Sequence, residues 1–128
     1  MALEPYRIVA DTIPAALGGR AGDPARGAAL VRDRERGNCL ICHQGVDPSE
    51  PFQGTIGPPL AGAGSRLDAG QIRLRLVDMS RLNPDTVMPP YFRTEGLRDV
   101  AEAYRGRPAF SAQEIEDVVS YLASLRTE

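Results

Sequence analysis

The stretch Gly37-Asn38-Cys39-Leu40-Ile41-Cys42-His43-Gln44 decides how the rest of the chain is read. Its centre is a pair of thiols three residues apart, with a histidine directly after the second. On a helical turn, positions three apart share a face. Two thiols on one face reach the two vinyl groups along one edge of a porphyrin and close onto them as thioethers. The imidazole that follows is then aimed at the iron. Cys-x-x-Cys-His is accordingly the attachment pattern of haem c. Cys39 and Cys42 are the candidate attachment points, and His43 the candidate proximal ligand.

Two rival chemistries use similar residues. A redox dithiol of the thioredoxin type needs a strand before the Cys-x-x-Cys and a βαβ context around it, and no strand pattern precedes Cys39. A structural zinc site needs about four ligands, and two Cys with one His leave a position that no further Cys or His can fill. One covalent haem c, with its iron, is the expected cofactor.

The second axial ligand is approached by elimination. The chain contains one His, two Cys and no Lys, since all 15 basic residues are Arg. Met, Tyr, a chain terminus or water remain. Met1 sits at the terminus. Met79 falls on the apolar stripe of a middle helix, where Met is usually core filler. Met88 lies in Asp85-Thr86-Val87-Met88-Pro89-Pro90, and the two prolines stiffen the backbone behind it. The reading favours Met88 over Met79 and water as the distal ligand. His/Met ligation raises the reduction potential, because a soft thioether favours Fe(II). With both axial positions filled, the expected work is moving single electrons. His43 then needs its other ring nitrogen held by a hydrogen bond. A carbonyl in the following loop is the expected acceptor, with Gly57 permitting close approach and Pro58 fixing the turn.

Outward from the motif, the chain reads as helices and long loops. Residues 1–22 hold Ile8, Val9, Ile13 and Leu17, broken by Pro14 and Gly18-Gly19, and are expected to form an arm lying on the surface of a domain spanning 23–128. Asp23-Pro24 opens a helix, by an N-cap followed by proline at the first position. Ala25, Ala28, Ala29 and Leu30 give it a narrow small-residue face, and Gly37 is the expected stop. Arg32, Arg34 and Arg36, interleaved with Asp33 and Glu35, read as a solvated face. The segment 44–64 is an unusually long loop rich in Gly and Pro, of the kind that wraps a ligand. A middle helix is expected from near Asp68 to before Asn83-Pro84, with Ile72, Leu76 and Met79 on one face. Residues 96–108 are ambiguous. Ser111 with Glu114 three residues on is a capping box, and Ile115, Val118, Val119, Leu122 and Leu125 then repeat at helical spacing.

Composition agrees with a helical domain organised around a prosthetic group. In 128 residues there are 13 Gly and 11 Pro but no Trp, and only 5% are aromatic, so a haem would supply apolar mass that the side chains lack. The formal charge of −2 includes no basic stripe, which argues against nucleic acid as a partner. No apolar run approaches the ~20 residues of a transmembrane helix. Met1-Ala2-Leu3-Glu4-Pro5 has neither the basic start nor the apolar stretch of a signal peptide.

A helix before Cys-x-x-Cys-His, the loop Gly57-Pro58-Pro59-Leu60, a Met loop and a capped last helix together resemble the class I cytochromes c. The resemblance implies an all-α fold with its first and last helices crossed beside one covalent haem. It places the His43 hydrogen-bond acceptor on the Pro58 carbonyl and Leu60 against the haem. It sets Ala25, Ala28 and Ala29 against Val118, Tyr121 and Leu122. Three stretches are similar to one branch in particular. They are residues 37–44, the run Gly54-Thr55-Ile56-Gly57-Pro58-Pro59-Leu60-Ala61-Gly62-Ala63-Gly64-Ser65-Arg66, and Val77-Asp78-Met79-Ser80-Arg81-Leu82-Asn83-Pro84 leading into Val87-Met88-Pro89-Pro90-Tyr91. All resemble SoxX, the monohaem subunit of the sulfur-oxidising cytochrome SoxAX.

That family implies an exported periplasmic subunit, paired with SoxA, that has no chemistry of its own beyond electron transfer. The heteromeric enzyme, an L-cysteine S-thiosulfotransferase, oxidatively joins thiosulfate to a cysteine of the carrier SoxYZ. Electrons leave to a small soluble cytochrome acceptor. The alternative is a free periplasmic monohaem carrier serving a terminal oxidase or reductase. Arg66 is a candidate partner for a haem propionate. Tyr91, beside the Met loop, is read as ordinary packing.

Overall fold

The structure, a computed structural model, describes residues 3–33, 35–37, 39–45, 54, 57–94 and 108–126. Met1, Arg34, residues 46–53 of the long loop and nearly all of the ambiguous stretch 96–108 lie outside the described residues. Among the described residues four α-helices run in order: α1 (Pro24–Arg32), α2 (Ala63–Arg66), α3 (Ala69–Asp78) and α4 (Ala112–Ser124). Short 3₁₀ turns lie at Leu17–Gly19, Cys39–Ile41 and Met79–Arg81. Among the described residues no strand forms, only an isolated antiparallel bridge between Val9 and Thr12.

The helix starts follow local chemistry. Asp23 caps α1 by accepting from the amides of Ala25 at 2.9 Å and Arg26 at 3.3 Å, with Pro24 first in the helix. Asp68 and Gln71 form a reciprocal capping box on α3, and Ser111 and Glu114 form one on α4. The middle helix stops before Asn83-Pro84 as expected, but the stop of α1 differs from expectation. α1 ends at Arg32, short of Gly37, because Asp33 turns extended (φ −73, ψ 113) and its carboxylate takes the Glu35 amide at 2.8 Å. An Asx turn of this kind competes directly with the next helical bond. α3 ends at Asp78, and Met79 begins the next 3₁₀ turn, half-buried, without extending the stripe of Ile72, Leu76 and Val77.

The small-residue face of α1 also falls on different residues. Ala25 and Ala29 are exposed, and the buried positions are Gly27 and Val31, one turn apart. A Cβ on Gly27 would collide with the Asp117 carbonyl of α4 and crowd Tyr121 Cβ; one on Gly22 would do the same at Glu116 and Ser120. Glycine, not alanine, lets the two backbones meet.

α4 is central. Ile115, Val118, Val119 and Leu122 are buried as their spacing requires, and so are two acids, Glu116 and Asp117. Glu116 receives a two-pronged bond from Arg73 of α3, Nε and Nη2 each at 2.8 Å, and accepts the Leu17 amide at 3.2 Å. Arg73 also donates to the Ile13 carbonyl at 2.7 Å, and the Ile13 amide donates to Gly70 at 3.0 Å. The N-terminal segment is therefore more than a surface arm: Ile8 and Val9 are exposed, but Ile13 and Leu17 are core residues. Asp117 accepts the Asp23 amide at 2.8 Å, Gln113 Nε2 at 2.8 Å and Arg26 Nε at 3.2 Å. Burial alone would raise its pKa, but these bonds outweigh burial and hold the carboxyl below its usual range.

Candidate haem-attachment site

The motif occupies the 3₁₀ turn Cys39–Ile41 and the two residues after it. The Cys39 carbonyl accepts both the Cys42 amide at 3.2 Å and the His43 amide at 2.9 Å, so one tight turn carries both thiols and the imidazole. Both cysteines are unpaired and half-buried. Burial pushes the Cys39 thiol up to about 11, only partly offset by a hydrogen bond with the Tyr91 hydroxyl. Among the described residues no group of three or more His, Cys, Asp or Glu forms a metal cage.

The returning loop 57–61 is laced against this turn. The Gly57 amide donates to the Cys42 carbonyl at 2.7 Å, and the Leu60 amide to Gln44 at 2.7 Å. Gly54, further back, donates to Leu40 at 2.8 Å. His43 Nδ1 lies 2.7 Å from the Pro58 carbonyl. A carbonyl only accepts, so Nδ1 carries a proton, and in the neutral imidazole Nε2 then keeps its lone pair. A Cβ on Gly57 would run into the imidazole ring, so glycine is required for the loop to pass. Leu60 is buried in the core. Cys39, Cys42, His43, Gly57, Pro58 and Leu60 thus stand together.

Met88 stands on a separate segment. It is half-buried against the core, and its amide donates to Thr86 Oγ1 at 3.1 Å. The segment is anchored to the end of α3, where the Tyr91 amide donates to Leu76 at 3.1 Å and the Phe92 amide to Val77 at 3.3 Å. Tyr91 ties this segment to the start of the motif: its buried hydroxyl donates to the Gly37 carbonyl at 2.6 Å, two residues before Cys39. Its ring stacks on Phe110 at 4.7 Å between centroids.

The sequence matches no family model, and no curated protein matches it. Its fold does have a counterpart. The crystal structure of SoxXA from P. pantotrophus contains a chain that superimposes with a TM-score of 0.85 and 33% identity, covering 95% of both chains. The chain belongs to the SoxX family. It is an all-α, class I cytochrome c-like fold, a SoxX-like electron-transfer cytochrome subunit. No helix among the described residues is long and apolar enough to cross a membrane.

Within this SoxX-like chain, three residues make contacts that their sequence positions do not reveal. Asp78, 2% exposed, accepts from the Ser80 amide at 3.1 Å and from Arg93 Nη1 at 3.2 Å, and pins the stretch on both sides of the Met88 segment. Arg36, read from the sequence as part of a solvated face, is half-buried and donates to Glu114 at 2.8 Å and to the Ala109 carbonyl at 3.2 Å. Arg66 turns its guanidinium onto the Pro59 and Ala61 carbonyls. The juxtaposition of Asp with Ser two residues on is a signal that would have found Asp78.

Proposed function

We propose that this chain is the monohaem electron-transfer subunit of a periplasmic SoxAX-type complex. Cys39 and Cys42 would hold one haem c as thioethers, His43 Nε2 would be the proximal iron ligand and Met88 Sδ the distal one. When bound, the haem supplies a one-electron Fe(III)/Fe(II) couple. The carrying observation is the 2.7 Å bond from His43 Nδ1 to the Pro58 carbonyl. That bond fixes the tautomer, leaves Nε2 free to donate, and orients the ring.

The remaining residues follow from this. Gly57 and Leu60 close the loop behind the imidazole, and the prolines at 89 and 90 stiffen the chain that presents the thioether. The family supports a SoxA-type partner and, through it, thiosulfate joined to the SoxYZ carrier, with a small soluble cytochrome taking the electron. The chain itself would contribute electron transfer alone.

Expression in a host that matures c-type cytochromes, followed by a pyridine haemochrome spectrum and intact mass, should give one haem per chain. A colourless product at the mass of bare polypeptide would overturn the reading. Met88→Ala should abolish the weak near-infrared Met–iron band of the oxidised protein; loss of that band with Met79→Ala and not with Met88→Ala would reassign the ligand. Co-purification with a SoxA-type chain is expected, and a chain that stays monomeric beside that partner would leave the free-carrier function.

A further inference from the structure

The loop that meets His43 has a peculiarity: residues 58 and 59 are both proline, so two successive positions have no amide to donate. The next amide, of Leu60, is spent on Gln44 at 2.7 Å. Arg66, the last residue of α2, holds two of the loop's carbonyls with its side chain. Its Nη2 donates to the Pro59 carbonyl at 2.6 Å and its Nη1 to the Ala61 carbonyl at 2.9 Å. The two nitrogens of one planar fork grip two carbonyls, a geometry that a single ammonium cannot copy.

The Pro59 carbonyl is the peptide unit directly after the one whose carbonyl bonds His43. The Pro59 ring locks φ between these two peptide planes, so ψ at Pro59 is the one soft torsion left between the Pro58 and Pro59 carbonyls. We infer that Arg66 is a positioning residue for the axial histidine, holding the Pro58 carbonyl on Nδ1–H. The inference rests on the proposed role of His43 as iron ligand.

The chemical consequence has a definite sign. A strong acceptor at Nδ1–H pushes electron density toward Nε2 and makes it a better donor. A better donor favours Fe(III) and lowers the potential. Loosening the loop weakens that bond, so the potential should rise.

The test compares haem-loaded wild type, Arg66→Ala and Arg66→Lys by redox titration, and by solvent exchange of the His43 Nδ1 proton in the reduced state. Arg66→Ala should shift the Fe(III)/Fe(II) equilibrium toward Fe(II) by about threefold, roughly 28 mV at 59 mV per tenfold for one electron. Its Nδ1 proton should exchange faster. Arg66→Lys, able to hold one carbonyl, should fall between it and wild type on both measures. Unchanged potential and exchange in Arg66→Ala, even with a lower Tm, would overturn the inference and leave Arg66 a purely structural staple. Should Arg66→Ala fail to mature, Arg66→Lys decides alone, and wild-type values for both readouts overturn the inference. A wild type without haem would overturn the proposed function itself, and is recognised by mass before any variant is measured.

Discussion

The two segments proposed to ligate the iron are held in different ways. The His43 turn is sewn along its length: Gly54 to Leu40, Gly57 to Cys42, Leu60 to Gln44 and His43 to Pro58 form bonds of 2.7–2.8 Å. The Met88 segment is held mainly at its ends. Met88 itself has the Thr86 hydroxyl at 3.1 Å, its neighbour Val87 is 73% exposed, and the firm attachments are the Asp78 cluster before it and Tyr91 and Phe92 after it. A ligand fixed by adjacent backbone bonds moves only if the turn comes apart. A ligand on a span fixed at its ends can leave while the rest of the fold stands. Under stress, the thioether side should therefore be lost before the imidazole side.

The largest test of that contrast is Gly57→Ala. The added methyl falls on the imidazole ring, which can move aside only by giving up its bond to the Pro58 carbonyl, so overpacking should cost about 1–3 kcal/mol. Haem-loaded yield should collapse, which absorbance per polypeptide measures. A normally loaded Gly57→Ala protein would show that the turn is less tightly sewn than its bonds imply.

Asp78→Asn attacks the other side. It removes the charge facing Arg93, one-third of whose side chain is exposed, so a loss of about 1.5–3 kcal/mol is expected. Denaturant unfolding gives that figure. The near-infrared Met band should melt at a lower temperature than in wild type, with the haem retained. Equal melting of band and fold would make the two regions one cooperative unit.

Tyr91→Phe removes the bridge between them. The Gly37 carbonyl loses its buried donor, costing about 1 kcal/mol. The stack on Phe110 stays, so haem yield should be normal while the band softens slightly.

Asp117→Asn is the smallest perturbation of either region and serves as the reference. Because its pKa is lowered in the fold from 3.8, ionised Asp117 stabilises the protein above that value, and the contribution is lost as pH falls through the folded-state pKa. The variant should be less stable at neutral pH and show a shallower loss on acidification below the ordinary carboxylate range, with an unchanged Met band.

Much of this arrangement is legible in the sequence because it is local. Cys39, Cys42 and His43 adjoin one another, and Ser111 with Glu114 carries its capping box within one turn. The loop 57–60 can be placed through family resemblance, and its proximity to His43 is an observed bond. What is not legible depends on partners far along the chain. Arg73 and Glu116 pair across 43 residues, and Asp23 and Asp117 across 94. Seen in one dimension, each acid on α4 is a polar interruption in an apolar stripe. The alanines beside Gly27 look like the close-contact face because only the approach of α4 shows which small residue must lack a Cβ. α1 reads longer than it is because Asp33 looks like a helix-face charge until its carboxylate is seen on Glu35.

The bond between the Leu17 amide and Glu116 spans 99 residues. A ribosome or a translocation pore that has released only the first three-quarters of the polypeptide has not yet delivered the acid that completes it. Contacts so distant in sequence slow folding, since loop closure precedes any reward. Until α4 arrives, the Leu17 amide and Arg73 both lack the carboxylate that joins them. Refolding of Glu116→Gln, followed by stopped flow, would show how far that last closure governs the clock.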